Sequence, residues 1–136
     1  MDFVKFSLAG FDEFLAYAGL AVVFVTAYLL LYTRLTPYNE VALIKEGNVA
    51  AAISLSGALL GFTLPLAAAI IHSVHPWDMM LWGVIAAAVQ LLVYAAVRFT
   101  FLNVSRRIPE GQVAAGLVLG AISVSAGILN AACMTY

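Results

Sequence analysis

The stretch EGNVAAAISLSGALLGF, residues 46–62, has a near copy sixty-four residues later in EGQVAAGLVLGAISVSA, residues 110–126. Both begin with Glu-Gly, continue with Val-Ala-Ala after one residue, and then become apolar with interspersed glycine and serine. The same offset pairs Arg34 with Arg98, which lie outside the apolar stretches. Chance alignment of two alanine-rich helices would match alanines, but it would not match this arginine and the Glu-Gly pair. The sequence therefore predicts an internal duplication.

The predicted repeat divides a single membrane domain, residues 1–136, into two tandem units of about residues 11–72 and 75–136. Each unit holds two apolar helices, so both units begin and end on the same side of the membrane. Repeats of that kind are related by an axis along the membrane normal, unlike the inverted repeats of many transporters. We therefore expect a parallel pseudo-twofold axis between the halves.

The composition is that of an integral membrane protein. Of the 136 residues, 65% are hydrophobic and 10% are charged, whereas a soluble domain carries roughly 25% charged residues. A chain of this size cannot bury so much apolar surface in its own core. The net charge of −1 argues against a nucleic-acid partner. A single cysteine excludes an intrachain disulfide framework and a cysteine-based zinc cluster.

Four apolar stretches are long enough to cross a bilayer, which takes about 20 residues. They cover about residues 14–33, 49–71, 79–97 and 113–134. Each must be helical, because backbone polar groups in lipid have to be satisfied within the segment. The sequence therefore predicts an all-α membrane protein of four transmembrane helices, in contact with membrane lipid.

The basic residues indicate the orientation of the chain. The loops after the first and third spans carry five of them, and the opposite side carries one. They are Arg34, Lys45, Arg98, Arg106 and Arg107, against Lys5. Lysine and arginine concentrate in cytoplasmic loops. We therefore expect a multi-pass protein of the bacterial inner membrane with its N- and C-termini outside the cytoplasm.

Small residues are spaced for close helix packing in the second and fourth spans. Each span has a GxxxG pair, and at the repeat-equivalent positions of the other span the residues are also small. These residues are Gly57 and Gly61 with Ala121 and Ser125, and Gly116 and Gly120 with Ala52 and Ser56. Small residues let helices approach closely in lipid. We expect the two helices to touch and predict a homo-oligomer, with a small-residue lining of a pore or ligand cleft as the alternative.

Polar residues within the spans are neutral. Gln90 and Asn130 are candidates either for contacts between helices or for contact with a substrate, whereas Thr63, a weaker candidate, can bond its own helix backbone. Pro65 frees the carbonyl of Gly61 and predicts a kink in the second helix, which occurs in gates and rigid scaffolds alike. No span carries an ionisable residue near its centre, which argues against a proton-relay pump built from one chain.

Metal and redox chemistry have weak support in the sequence. His72, His75 and Asp78 have a spacing that could hold a metal on one helix, but Pro76 interrupts that helix. Cys133 has no partner cysteine, and a small buried thiol is its ordinary interpretation, with a redox thiol as the alternative. We expect no metal, no cofactor and no catalytic residue.

The loop TRLTPYNEVALIKEGN, residues 33–48, is the most distinctive polar segment. Its EVALIKEG part could form a short interfacial helix. Asn48 is placed to cap the next helix, whose N-terminus favours an anionic group. Glu40 has no counterpart in the second repeat, where Val104 stands. We predict that Asn39, Glu40 and Asn48 form a functional surface on the cytoplasmic side; the alternative is that Asn48 only caps and Glu40 pairs with Lys45.

Three motifs of the chain resemble a bacterial family of inner-membrane proteins, DUF350, also called UPF0719. They are TPxNE at residues 36–40, GNxAAA at residues 47–52 and NAACMT at residues 130–135. The resemblance implies four spans in two two-helix units. It also implies association with ATP-grasp ligases of the glutathionylspermidine-synthase type and with envelope-stress systems. It brings no activity, cofactor or catalytic residue.

Three functions stay open. The first is a non-enzymatic membrane component that oligomerises and serves a cytoplasmic or envelope protein. The second is a channel or small transporter, in which polar residues of the oligomer line a wet path, namely Ser56, Thr63, Ser123 and Asn130. The third is an intramembrane redox or metal site, which requires Cys133 to meet His72 or His75 in one cavity.

Overall fold

The computed structural model describes residues 2–100 and 103–134, and all regular secondary structure in that part of the chain is helical. The helices are α1 (Asp2–Leu8), α2 (Phe11–Leu35), α3 (Glu40–Lys45), α4 (Val49–His72), α5 (Pro76–Thr100), α6 (Val104–Arg107) and α7 (Val113–Cys133). Four segments are long and apolar enough to cross a membrane: Phe3–Leu35, which joins α1 and α2, and the helices α4, α5 and α7. The predicted all-α class with four spanning helices is confirmed.

The ends of the helices follow from local sequence. α2 stops before Pro37, and the Thr36 amide donates to the Tyr32 carbonyl to close its last turn. The predicted short helix after this turn is confirmed as α3, where the Asn39 side chain accepts a hydrogen bond from the Ala42 amide at 3.1 Å. Asn48 caps α4 in the same way, as predicted, by accepting from the Ala51 amide at 3.0 Å.

The turns that lead into α4 and α7 have the same geometry. Gly47 and Gly111 are both left-handed, with φ of 87° and 79°, a conformation that glycine adopts without a steric cost. In each turn the next residue donates back to the residue five positions earlier: the Asn48 amide to Leu43, and the Gln112 amide to Arg107, at 2.9 and 3.1 Å. The two turns therefore share one local geometry at this end of the bundle.

Helices α4 and α7 pack with their backbones in direct contact. A Cβ placed on Gly57 would lie within 3.0 Å of three backbone atoms of Gly120. The same holds for Gly116 against Ala50. Contact this close is available only to glycine, because real Cβ atoms do not approach other atoms to that distance. The α4–α7 pair is therefore the centre of the fold.

Pro65 is buried within α4 and does not end it, since the helix continues from Val49 to His72. A proline cannot donate to the carbonyl four residues earlier, here that of Gly61. Gly127 of α7 lies against that carbonyl, so closely that a Cβ would collide with it. The partner helix thus covers the carbonyl that Pro65 leaves free.

Helices α5 and α2 pack beside the α4–α7 pair. The Gln90 side chain of α5 donates to the Ser123 carbonyl of α7 at 3.0 Å. Of the two roles considered for Gln90, this is the contact between helices. Arg98 donates to the Leu35 carbonyl at 2.9 Å and joins the ends of α5 and α2. α2 is the most peripheral span, with 6% of its most apolar stretch buried.

Candidate functional site

A buried carboxyl group lies at the end of the bundle that carries α3. Glu40 is 1% exposed, and its carboxylate oxygens form no hydrogen bond of ordinary geometry with the described residues, although the Thr36 hydroxyl is near enough to act on them. The hydroxyl groups of Tyr32, Tyr38 and Tyr94 are also buried without such a bond, although Tyr38 interacts with Ser54 and Tyr94. We call Glu40 and these three tyrosines the Glu40 chamber. A buried, unpaired carboxyl group with a cluster of polar groups is typical of functional sites in membrane proteins.

Three elements bring these side chains together. Tyr28 and Tyr32 lie one turn apart on α2, the spacing that puts both on one helix face. The Tyr32 ring meets the Tyr94 ring of α5 edge-on, with 5.1 Å between centroids. Tyr38 lies in the turn after Pro37, and the Asn39 cap then makes Glu40 the first residue of α3. The chain thus folds Glu40 back over the tyrosines of α2 and α5.

The chamber disfavours a charged carboxylate. Burial raises the pKa of Glu40 to about 7, and the nearby Thr36 hydroxyl limits this rise. That hydroxyl donates to the Thr33 carbonyl at 2.9 Å. Burial, followed by Tyr94 and Glu40, also raises the pKa of Tyr38, against the opposing effect of Arg98. Burial therefore favours the protonated form of both side chains.

The structure corrects the predicted surface position of Glu40. We expected a solvated loop residue, or a partner of Lys45, but the carboxyl group is buried and forms no ion pair with a described lysine or arginine. The start of the helix is not the reason, because the predicted EVALIKEG helix begins at Glu40 as α3 does. The reason is tertiary packing: α3 packs on α4, and tyrosines of α2 and α5 lie near the Glu40 carboxyl group.

The three residues of the predicted functional surface occupy different environments. Asn39 is exposed and caps α3, while Glu40 is inside the chamber. Asn48 is half-buried, and besides capping α4 it donates to the Ile108 carbonyl at 2.9 Å. Asn48 thereby joins the turn before α4 to the turn before α7. The structure does not gather the three side chains into one patch.

The small residues of α4 and α7 separate into an inner set and an outer set. Gly57, Gly61, Gly116 and Gly120 are buried between the two helices. The other four face outward and line an open groove of about 550 Å³, which we call the α4–α7 groove. They are Ala52, Ser56, Ala121 and Ser125, with Gly57 and Gly120 between them and Ile53, Leu60, Leu117 and Val124 at the edges.

The weaker candidates do not converge on a cavity. Thr63 donates to the Leu60 carbonyl of its own helix, and the Asn130 amide nitrogen is buried without a partner in the described residues. The groove contains Ser56, but neither Thr63 nor Ser123 lines it. The continuous polar path predicted for a channel is therefore absent from this groove of a single chain.

The candidate metal and redox residues are dispersed. His72 is the last residue of α4, and its ring nitrogen Nδ1 lies 2.9 Å from the Ala68 carbonyl oxygen. His75 accepts from the Trp77 amide at 3.2 Å and so caps the start of α5. Cys133 is exposed, whereas its interpretation as a small packing thiol required it to be buried. Within residues 2–100 and 103–134, no three histidine, cysteine, aspartate or glutamate residues group as metal ligands.

The tyrosines of the Glu40 chamber were missed by the sequence reasoning. Tyr28 and Tyr32 carry a usable signal, because two tyrosines one turn apart near the end of a span favour a polar face turned inward. Tyr94 is separated from them by more than sixty positions, and only the packing of α5 on α2 shows its proximity.

Comparison with known proteins gives one family and two relatives. Residues 6–134 match the family described as Domain of Unknown Function (DUF350). Over 123 residues the chain is 43% identical to the UPF0719 inner membrane protein YjfL of Escherichia coli strain K12, covering 90% of this chain and 93% of that protein. The protein of the same name from Escherichia coli O157:H7 matches equally. No solved structure matches.

Proposed function

The chain belongs to the DUF350 family and is a multi-pass inner membrane protein, and from this we propose that it is a non-enzymatic component that works as a homo-oligomer. The copies meet at the α4–α7 groove. The assembly serves a protein partner at the cytoplasmic or envelope side, of the ATP-grasp or envelope-stress kind that the family resemblance implies. The single observation that supports the proposed oligomer is the α4–α7 groove.

The groove suits a second copy of the same chain. Both of its walls come from the rigid α4–α7 pair, and both present small residues: Ala52 and Ser56 on one side, Ala121 and Ser125 on the other. A twofold contact brings the same patch of both copies face to face, so that α4 or α7 of one copy can lie along the groove of the other. Small residues allow a facing helix to approach closely, which drives association in lipid. The groove extends the close packing already present inside the chain.

Ala121→Leu should abolish the oligomer while the chain still folds. A leucine side chain would fill the groove and hold the facing helix away, but Ala121 is exposed and has room for it within the chain. Ala88→Leu is the matched control, because Ala88 is an exposed alanine on α5 outside the groove. Native mass spectrometry from detergent gives the copy number. A wild-type monomer, or an unchanged oligomer in Ala121→Leu, would refute the proposal.

We also propose that the two halves are products of a duplication and that both termini face away from the cytoplasm. The matching turns at Gly47 and Gly111 support the first statement. The second rests on the five basic residues of the loops after the first and third spans, against one on the other side.

A C-terminal fusion tests this orientation in cells. Alkaline phosphatase joined after Tyr136 should be active, because the enzyme folds only outside the cytoplasm, and green fluorescent protein at the same position should be dark. The same two reporters joined after Lys45, on the opposite side, should give the opposite pair of results. Active phosphatase after Lys45 and fluorescence after Tyr136 would show that the C-terminus faces the cytoplasm and would contradict the proposed orientation.

A further inference from the structure

The Glu40 chamber contains five buried oxygen atoms that form no hydrogen bond of ordinary geometry with the described residues. Two belong to the Glu40 carboxyl group and three to the hydroxyls of Tyr32, Tyr38 and Tyr94. Glu40 interacts electrostatically with each of these tyrosines and with Tyr28. Buried polar groups are normally satisfied, and an unpaired buried charge is costly. The chamber therefore requires a ligand or a neutral carboxyl group.

We propose that the Glu40 chamber is a binding site for one proton, carried on the Glu40 carboxyl group and exchanged with water at the α3 end of the bundle. This inference goes beyond the proposed oligomeric component and does not depend on it. It rests on the burial of Glu40 and on the three hydroxyls around it.

The groups that surround Glu40 leave it without a fixed counter-charge. Tyr28 and Tyr32 face it from α2, Tyr38 from the preceding turn, and Tyr94 from α5. Arg98 of α5 acts on Tyr38 and Tyr94, but its guanidinium group donates to the Leu35 carbonyl. No described residue of α4 that approaches Glu40 is titratable, because the only ionisable group of α4 is His72 at its far end.

A proton fits this chamber better than a metal cation does. A hard divalent cation takes six or more oxygen ligands, several of them charged, whereas the chamber offers one carboxyl group and three hydroxyls. These atoms have almost no contact with solvent, which a hydrated ion would need. A proton needs no volume, and it removes the charge whose burial is costly.

The chemical step is a simple protonation. Water at the α3 end supplies the proton, which forms an O–H bond on one carboxyl oxygen of Glu40. When the proton returns to water, that O–H bond breaks and the carboxylate is left beside the Thr36 hydroxyl. The pKa of Glu40, raised by burial to about 7, puts this exchange in the neutral range.

Infrared difference spectroscopy on the full chain in lipid tests the site. Titration across neutral pH should show the carbonyl stretch of a protonated carboxyl group that disappears with a midpoint near pH 7. Glu40→Gln, a neutral side chain of the same shape, should fold and lose this band. Thr36→Val removes the hydroxyl that limits the rise in the pKa of Glu40, so the midpoint of this variant should shift upward.

The other results overturn the proposal. One is that the protonated-carboxyl band persists in Glu40→Gln. Another is that the band of the wild type titrates at the ordinary pKa of an exposed glutamate. A midpoint that moves when sodium or potassium ions replace choline would identify a cation site instead. If Glu40→Gln fails to fold, Thr36→Val still decides, since an unchanged midpoint in that variant would exclude Glu40 as the group that holds the proton.

Discussion

Gly57→Ala should destabilise the protein by about 3 kcal/mol, whereas Gly19→Ala should leave its stability unchanged or raise it. A Cβ on Gly57 would lie within 3.0 Å of the Cα, carbonyl carbon and oxygen of Gly120. These are backbone atoms, so no side-chain rotation relieves the overlap, and α4 and α7 must move apart. Gly19 lies on α2 and has nothing within 4 Å of its Cβ position.

Comparing Gly57→Ala with Gly19→Ala separates the effect of packing from that of helix propensity. In a helix interior, alanine is favoured over glycine by roughly 0.5–1 kcal/mol, so both variants gain the same stabilisation from propensity. Gly120→Ala should destabilise the protein less than Gly57→Ala does. Its Cβ would lie 3.0 Å from the Ile53 carbonyl oxygen and at least 3.4 Å from the other neighbouring atoms. Gly57→Leu should prevent folding altogether.

Thermal unfolding in detergent, followed by far-ultraviolet circular dichroism, measures this series. The expected order of stability is Gly19→Ala, wild type, Gly120→Ala and then Gly57→Ala. Equal melting of Gly57→Ala and Gly19→Ala would mean that α4 and α7 do not touch at Gly57. Because the contact lies within one chain, the loss should not depend on protein concentration.

Folding stability should fall by about 3 kcal/mol as the pH rises from 4.5 to about 7. The ordinary pKa of a glutamate is 4.5, and burial raises that of Glu40 to about 7 in the folded protein. Between these values the folded state binds more protons than the unfolded state. Stability is therefore greatest below the unfolded pKa and decreases as pH rises through the folded pKa, above which it levels off.

Glu40→Gln is the control for this dependence. Glutamine does not titrate, so the variant should lose the fall in stability over this range and should be more stable than the wild type above pH 7. Reversible unfolding in mixed micelles at a series of pH values gives both curves. Parallel curves for the two proteins would show that Glu40 is ionised, or hydrated, in the folded state.

The fold was predictable to the extent that it depends on local sequence. The four spans follow from hydropathy, and α3 and the Asn48 cap follow from short-range hydrogen bonding. The spacing of Gly57 and Gly61 predicted close packing, but it could not say which small residues face the partner helix and which face outward. That division depends on the rotation of α4 about its axis, which the sequence pattern leaves open because the whole helix is apolar.

The chamber was not predictable for a related reason. Burial of a side chain at the start of a short helix depends on what covers it, and Glu40 is covered by tyrosines from helices far apart in sequence. A glutamate in a polar loop is normally exposed, so its sequence context favoured a surface position. The buried hydroxyls of Tyr32 and Tyr94 become significant only when the packing of α2 against α5 is known.

An experimental structure of the protein in lipid nanodiscs tests the central claim, assembly through the α4–α7 groove, most directly. We predict a twofold or higher symmetric oligomer in which Ala52, Ser56, Ala121 and Ser125 of one copy lie against α4 or α7 of the next. Lipid acyl chains in the groove, with the copies separate or joined through α2 or α5, would contradict the claim.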